Sequence, residues 1–140
     1  MKDPFHLERF LTAQAEVYAG AVEELREGHK QSHWMWFIFP QMKGLGRSPQ
    51  ADYFAIGSME EATAYLEYPL LGARLRMCTR LVNAVEDRSA HEIFGSPDDL
   101  KFHSSMTLFD CAAEDDAEFQ AALDKYFRGE PDRLTLELLK

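Results

Sequence analysis

Apolar residues recur three and four positions apart along most of this 140-residue chain, and that spacing is typical of amphipathic α-helices. Asp3-Pro4 begins the first such stretch, which continues to Gly28, and Ser58 with Glu61 has the form of a capping box. Further helix starts lie near Pro69, Ser89, Ser96-Pro97, Asp116 and Pro131. The sequence therefore predicts an all-α or mainly α fold, a compact helical bundle that forms a single domain over residues 1–140.

The segment from about residue 29 to residue 57 lacks this helical spacing and is predicted to be irregular. It contains HWMWFIFPQ at 33–41, a loop with two glycines and a proline at 43–49, and an expected extended piece at 52–56. In an extended chain Trp34 and Trp36 point the same way, and flat rings on one side of a cleft suit stacking with a base or sugar. The alternative is a strand or loop buried against helices. Irregular segments of this length often carry function.

The charge balance limits the classes of partner. A net charge of −9 disfavours sequence-blind binding to nucleic acid, which depends on clustered Lys and Arg. No stretch is as long as a membrane span, and the N-terminal MKDPFHLERF lacks the apolar core of a secretion signal. The sequence predicts a cytoplasmic protein without membrane contact and leaves the oligomeric state open.

The cysteines and histidines indicate no metal chemistry. Cys78 and Cys111 belong to no CxxC pattern and lie in apolar helical stretches, so both are predicted to be buried thiols. His29 and His33 have four-residue spacing, but Gly28 ends the helix before them and no third ligand follows. We therefore predict neither a metal nor a cofactor.

The helix that begins near residue 96 carries candidate ligand-binding groups. Lys101 shares a face with Ser104 and Ser105 near the electropositive end of the helix, which suits an anionic group. In the alternative interpretation, Asp98 and Asp99 complement the helix dipole, and the lysine and serines are ordinary surface residues.

Polar residues of other stretches add to this candidate set. Gln14 and Tyr18 lie one turn apart on the inward face of the first helix. A buried glutamine needs hydrogen-bond partners, so Gln14 is expected either to satisfy the backbone of the irregular segment or to line a pocket. Gln41 supplies a further amide, while Arg74 and Arg47 offer positive charge to a small phosphorylated ligand.

Four groups of motifs are specific enough to compare with a family. They are HWMWFIFPQ at 33–41 with GLG at 44–46, EA and YL within 61–66, PLLG and RL within 69–75, and DLK at 99–101 with SSMTLF at 104–109. They resemble a bacterial family of unknown function whose members often carry the name calpastatin. That name implies a protease inhibitor of a kind that is disordered until it binds. This chain has 46% hydrophobic and 12% aromatic residues, a composition typical of a packed core and not of a disordered inhibitor. We therefore do not adopt the function that the name implies.

The same family is similar, more distantly, to the NADAR superfamily, which is named for its association with NAD and ADP-ribose. Studied members of that group cleave N-glycosidic bonds to ribose phosphates or ADP-ribose. The shared pattern is an acidic residue, a lysine and a methionine, here Asp99, Lys101 and Met106, and Gln14 with Tyr18 offers a counterpart to a second motif. The resemblance implies an N-glycosidase-like hydrolase that acts on an ADP-ribosyl or phosphoribosyl N-glycoside.

Such a reaction passes through an oxocarbenium-like state that a carboxylate stabilises while water attacks. The resemblance implies that Asp99 is this carboxylate, with Asp98 and Asp52 as alternatives, and that Lys101 binds the phosphate.

The remaining members of the candidate site would bind the substrate, with an indole stacked on its base. They are Trp34, Trp36, Gln41, Gln14, Tyr18, Ser104, Ser105 and Arg74. The competing prediction is a non-catalytic module that binds a nucleotide-like ligand or a protein partner through the same cleft. The predicted ligand is a small phosphorylated, nucleotide-like molecule.

Overall fold

The computed structural model describes residues 3–140 and contains ten helices and no β-strand over that range. None of these helices is long and apolar enough to cross a bilayer. In chain order they are α1 (Glu8–Gln14), α2 (Tyr18–Arg26), α3 (Met35–Ile38), α4 (Pro49–Tyr53), α5 (Met59–Glu67), α6 (Pro69–Ala84), α7 (Ala90–Phe94), α8 (Asp98–Ala112), α9 (Ala117–Phe127) and α10 (Arg133–Leu138). The predicted all-α fold is confirmed.

The core is arranged around α8, which packs against α5, α7, α9 and α10. Phe102 of α8 is fully buried; its ring stacks on Phe94 at 4.7 Å and meets Phe39 edge to face at 5.0 Å. Further along the helix, Phe109 packs on Tyr65 at a ring distance of 5.4 Å. Aromatic pairs of this kind add about 1 kcal/mol each beyond their burial. Aromatic packing therefore fixes the helix that carries Lys101.

The single helix predicted from Pro4 to Gly28 is wrong, because the chain forms two helices with a break at residues 15–17. At the break the N–H of Val17 donates to the carbonyl of Gln14 at 3.1 Å, which tightens the backbone. The change of direction lets α1 contact α3 while α2 packs against α6. One straight helix could not contact both α3 and α6.

Three other boundaries differ from the prediction. The helix expected from Ser96-Pro97 begins at Asp98, with Pro97 in the N-cap position and no side-chain cap. The last helix begins two residues after Pro131, because the Asp132 side chain caps it. Residues 49–53 are helical, so the extended piece expected at 52–56 is reduced to Ile56, which bridges to Met42.

The end of the 29–57 segment is held by a buried arginine of α1. The five N–H donors of Arg9 bond to the carbonyls of Phe5, His6, Tyr53 and Ala55 and to a carboxylate oxygen of Glu61, at 2.6–2.9 Å. The side chains of Arg9 and Glu61 are only 7% and 9% exposed. Removing one partner of a buried ion pair typically costs about 3–5 kcal/mol. This pair therefore ties the segment to α1 and α5.

The beginning of the same segment is held by Glu24 of α2. Its carboxylate accepts hydrogen bonds from the N–H groups of Gln31 and Ser32, the hydroxyl of Ser32 and Nε1 of Trp34, at 2.5–3.0 Å. Partial burial favours the neutral acid, but the hydrogen bonds outweigh it and lower the pKa of Glu24 to about 2. The charged form of Glu24 therefore stabilises the folded chain.

We predict that Glu24→Gln lowers the free energy of unfolding by about 1–2 kcal/mol at pH 7, the size expected for hydrogen bonds to a partly exposed charge. Because the folded pKa lies below the ordinary value of 4.5, this stabilisation is complete above pH 4.5 and is lost as the pH falls towards 2. Urea unfolding at several pH values measures it. The control is Glu23→Gln, on a side chain that is 64% exposed. An equal loss at pH 7 and pH 2.5 would contradict the account.

Candidate functional site

Three predicted site residues line one small hollow between the 29–57 segment and the start of α8. They are Trp36 of α3, Gln41, and Lys101 in the first turns of α8. The other lining side chains are apolar: Met35, Phe39, Ala51, Phe54 and Ala55. Apolar walls with a few convergent polar groups are typical of sites for small molecules.

Lys101 contacts Trp36 and Asp98 beside this hollow. Its Nζ lies 5.3 Å from the centre of the Trp36 ring and 3.6 Å from Oδ1 of Asp98. Asp98 also pairs through Oδ2 with Nζ of Lys30 at 2.8 Å, so one carboxylate lies between two ammonium groups. The open volume is about 10 Å³, the space of a single water molecule. A larger ligand therefore requires lining side chains to move.

The indole of Trp36 carries an unused donor. Its Nε1 is buried and has no hydrogen-bond partner in the described part of the chain. Leaving a buried donor unpaired costs about 1–3 kcal/mol. A ligand that presents an acceptor to this N–H would recover that free energy.

The expected side-by-side display of Trp34 and Trp36 is wrong. Met35–Ile38 form a helical turn, so the extended geometry that aligns alternate side chains is absent. Trp34 is fully buried; it donates to Glu24 at 3.0 Å, and Nζ of Lys30 lies 5.0 Å from its ring centre. Trp34 therefore anchors the segment and does not line the hollow.

None of the three carboxylates considered from the sequence, Asp52, Asp98 and Asp99, lines the hollow. Oδ1 of Asp99 accepts the N–H of Leu100 at 2.9 Å, and Oδ2 lies 3.4 Å from Nδ1 of His91. Asp52 is exposed on α4. Of the three carboxylates considered from the sequence, Asp98 is the one that contacts Lys101.

Gln14, Tyr18 and Arg74 form a second group that shares no residue with the hollow. Nε2 of Gln14 donates to the carbonyl of Phe37 at 2.7 Å, which confirms that Gln14 satisfies the backbone of the segment. The guanidinium of Arg74 donates to Oε1 of Gln14 at 3.2 Å and lies 4.5 Å from the ring centre of Tyr18. Burial raises the pKa of the adjacent Cys78 thiol to about 12, so this thiol is unreactive, as its predicted burial implied.

Ser104 and Ser105 are not on an open face of α8. Ser104 is buried and donates to the carbonyl of Leu100 and to Asp132, the residue that caps α10. Ser105 is fully buried, and its hydroxyl has no partner among the described residues. Both side chains face α10 or the core because α8 is covered by neighbouring helices on most sides.

A carboxyl cluster at the junction of α8 and α9 was not predicted from the sequence. Burial, and then the neighbouring carboxyls of Asp116 and Asp124, raise the pKa of Asp110 to about 6. The turn between the two helices brings these residues together, and no spacing rule predicts it. Cys111 beside them is exposed, so its predicted burial is wrong. Within residues 3–140, no three His, Cys, Asp or Glu side chains converge as a metal ion requires.

These features define an all-α domain with a small hollow beside α8. The chain belongs to the family described as Protein of unknown function (DUF1810), whose profile matches residues 4–139. It is similar to the crystal structure of the conserved hypothetical protein Rv1873 from Mycobacterium tuberculosis, with a TM-score of 0.97, 58% identity and 98% of each chain covered. No curated protein matches the chain. The resemblance to a family of unknown function is confirmed at this level.

We predict that Asp110→Asn raises the free energy of unfolding by about 1 kcal/mol at pH 8, a value reduced for the partial exposure of the group. The folded pKa of about 6 lies above the ordinary 3.8, so the native chain loses stability as the pH rises through this window. At pH 4 the gain should vanish. Thermal unfolding across pH measures it, with Asp52→Asn as an exposed control. No gain at pH 8, or the same gain at pH 4, would refute the cause given for the shift.

Proposed function

We propose that the hollow at Trp36, Gln41 and Lys101 binds a small phosphorylated, nucleotide-like ligand. The observation that carries this proposal is the convergence of an indole, an amide and an ammonium group on apolar walls. A flat ring stacks on an indole, and a phosphate pairs with an ammonium group. The unpaired Nε1 of Trp36 adds a donor for a ligand oxygen.

Binding begins with a movement of Lys101. Its side chain is 22% exposed, so a ligand that displaces it must release both the contact with the Trp36 ring, worth about 0.5–2 kcal/mol, and the 3.6 Å ion pair with Asp98. The movement frees the face of the indole and leaves the ammonium group at the mouth of the hollow. A single ring or phosphate then occupies the hollow, and the rest of the ligand extends over the surface.

A second candidate function is hydrolysis of an N-glycosidic bond in that ligand, as the distant similarity to the NADAR superfamily implies. The observation that favours it is the position of Asp98, whose carboxylate lies 3.6 Å from Nζ of Lys101. A carboxylate beside the phosphate-binding lysine is placed to stabilise an oxocarbenium-like state. Asp98 takes this role in preference to Asp99, which faces His91.

A protease inhibitor of the disordered type is disfavoured. Such chains lack a packed core in the free state. Here one continuous core buries Trp34, Phe39, Phe102 and Phe109 almost completely.

We predict that ADP-ribose and ribose 5-phosphate raise the melting temperature, whereas uncharged adenosine does so less. Ligand at a hundredfold excess over its Kd stabilises the folded state by about 2.7 kcal/mol, which corresponds to several degrees in Tm. Lys101→Ala should abolish the shift because it removes the phosphate partner.

The matched control is Lys43→Ala, which removes one exposed lysine of the same segment without touching the lining of the hollow. If Lys43→Ala and Lys101→Ala reduce the shift equally, the effect is one of overall charge and the proposed site is wrong. If none of the ligands shifts the wild-type Tm, the class of ligand is wrong.

For hydrolysis, we predict that Asp98→Asn lowers the rate of ribose release from a bound N-glycoside by about 100-fold or more, while Asp99→Asn leaves it within about twofold. Chromatography of the products measures the rate. The asparagine is isosteric and can keep a hydrogen bond to Lys30. Ligand stabilisation without any ribose release by the wild type would leave the binding function and eliminate the hydrolase.

A further inference from the structure

A second open space on the described surface shares no lining residue with the candidate site. It is a groove of about 880 Å³ between the start of α1 and the α5–α6 corner. Its floor and walls include Phe5, Leu7 and Leu11 on one side and Tyr68 and Leu70 on the other. Leu70 is 46% exposed, although leucine prefers burial. An apolar concavity with an exposed leucine on its edge indicates a docking surface.

The charged residues that line this groove are acidic, as far as residues 3–140 show. Asp3, Glu8 and Glu67 line it, and no lysine, arginine or histidine does so among the described residues. Two backbone hydrogen bonds lower the pKa of Asp3, so its carboxyl is charged at neutral pH. Glu8 and Glu67 are exposed, so their carboxylates are open to a partner. The groove therefore combines apolar walls with an acidic rim.

This charge pattern selects among possible occupants. Nucleic acid and the surface of an anionic membrane would be repelled by three carboxylates. A second copy of the chain in a symmetric pair would bring the same acidic rims together, and like charges at an interface oppose association. A basic segment would instead pair its cations with the rim.

We propose that this groove docks a basic amphipathic helix of a partner protein. The apolar face of the helix packs against the groove between α1 and α6, and its flanking Lys or Arg side chains meet Glu8 and Glu67. An amphipathic helix laid in an apolar groove is a recurrent mode of recognition. This groove and the hollow share no lining residue.

The test uses a fluorescently labelled amphipathic helical peptide of Leu and Lys as the probe, with a Leu and Glu counterpart of the same pattern. Fluorescence anisotropy gives the Kd for the full chain. We expect the Leu–Lys peptide to bind and the Leu–Glu peptide not to bind. The double variant Glu8→Lys with Glu67→Lys should weaken binding about tenfold or more, and Leu70→Ala should weaken it several-fold.

Matched controls separate this groove from general charge and hydrophobicity. Glu27→Lys with Glu137→Lys makes the same charge change at exposed positions outside the groove, and Leu134→Ala truncates another leucine that is 60% exposed. These variants should change the Kd less than twofold. The proposal is overturned if the Leu–Lys peptide fails to bind at about 1 mM, or if the control pair weakens binding as much as the groove pair. If light scattering shows a dimer that Leu70→Asp dissociates, the groove binds a second copy of the chain, and the proposal is overturned as well.

Discussion

Three polar side chains on α1 and α2 hold the segment from residue 29 to residue 57 against the rest of the molecule. Glu24 binds its beginning, Gln14 binds its middle through the carbonyl of Phe37, and Arg9 with Glu61 binds its end. Each of these contacts pairs backbone groups of the segment: the N–H groups of Gln31 and Ser32, the carbonyl of Phe37, and the carbonyls of Tyr53 and Ala55. Apolar packing alone cannot supply those bonds.

The candidate site follows from this arrangement. Once both ends of the segment are tied down, α3 and Gln41 are placed against α8, and Trp36 meets Lys101. The other side of the hollow is fixed by Phe102, the neighbour of Lys101, which is locked between Phe39 and Phe94. One wall therefore depends on buried polar contacts and the other on aromatic packing. Lys101 lies between these two walls, and its side chain is 22% exposed.

The helices could be predicted from the sequence because apolar periodicity and capping are local properties. Ser58 and Ser89 cap the helices that they were expected to cap. The helix expected to start near Asp116 begins at Ala117, with Asp116 in the N-cap position. The break after Gln14 could not be predicted, because it depends on the two distant elements that α1 and α2 must reach.

The candidate site was only partly predictable, for the same reason. Trp36, Gln41 and Lys101 line the same hollow. The position of Trp34 was predicted wrongly, because a short aromatic run is compatible with either a strand or a helix. The Arg9–Glu61 pair was missed, since no sequence spacing links residues 52 positions apart. Asp98 and Asp99 are adjacent, and only the structure shows that Asp98 lies near Lys101 while Asp99 lies near His91.

Native-state hydrogen exchange of Arg9→Met most directly tests the claim that buried polar groups hold the segment. The amides of Lys43 and Ile56, which bond across the isolated bridge, report on the end of the segment, and amides at the centre of α6 report on global unfolding. The account predicts that protection of Lys43 and Ile56 falls much more than protection in α6. Equal loss at all these amides, or unchanged protection at Lys43 and Ile56, would show that apolar packing holds the segment and would contradict the account.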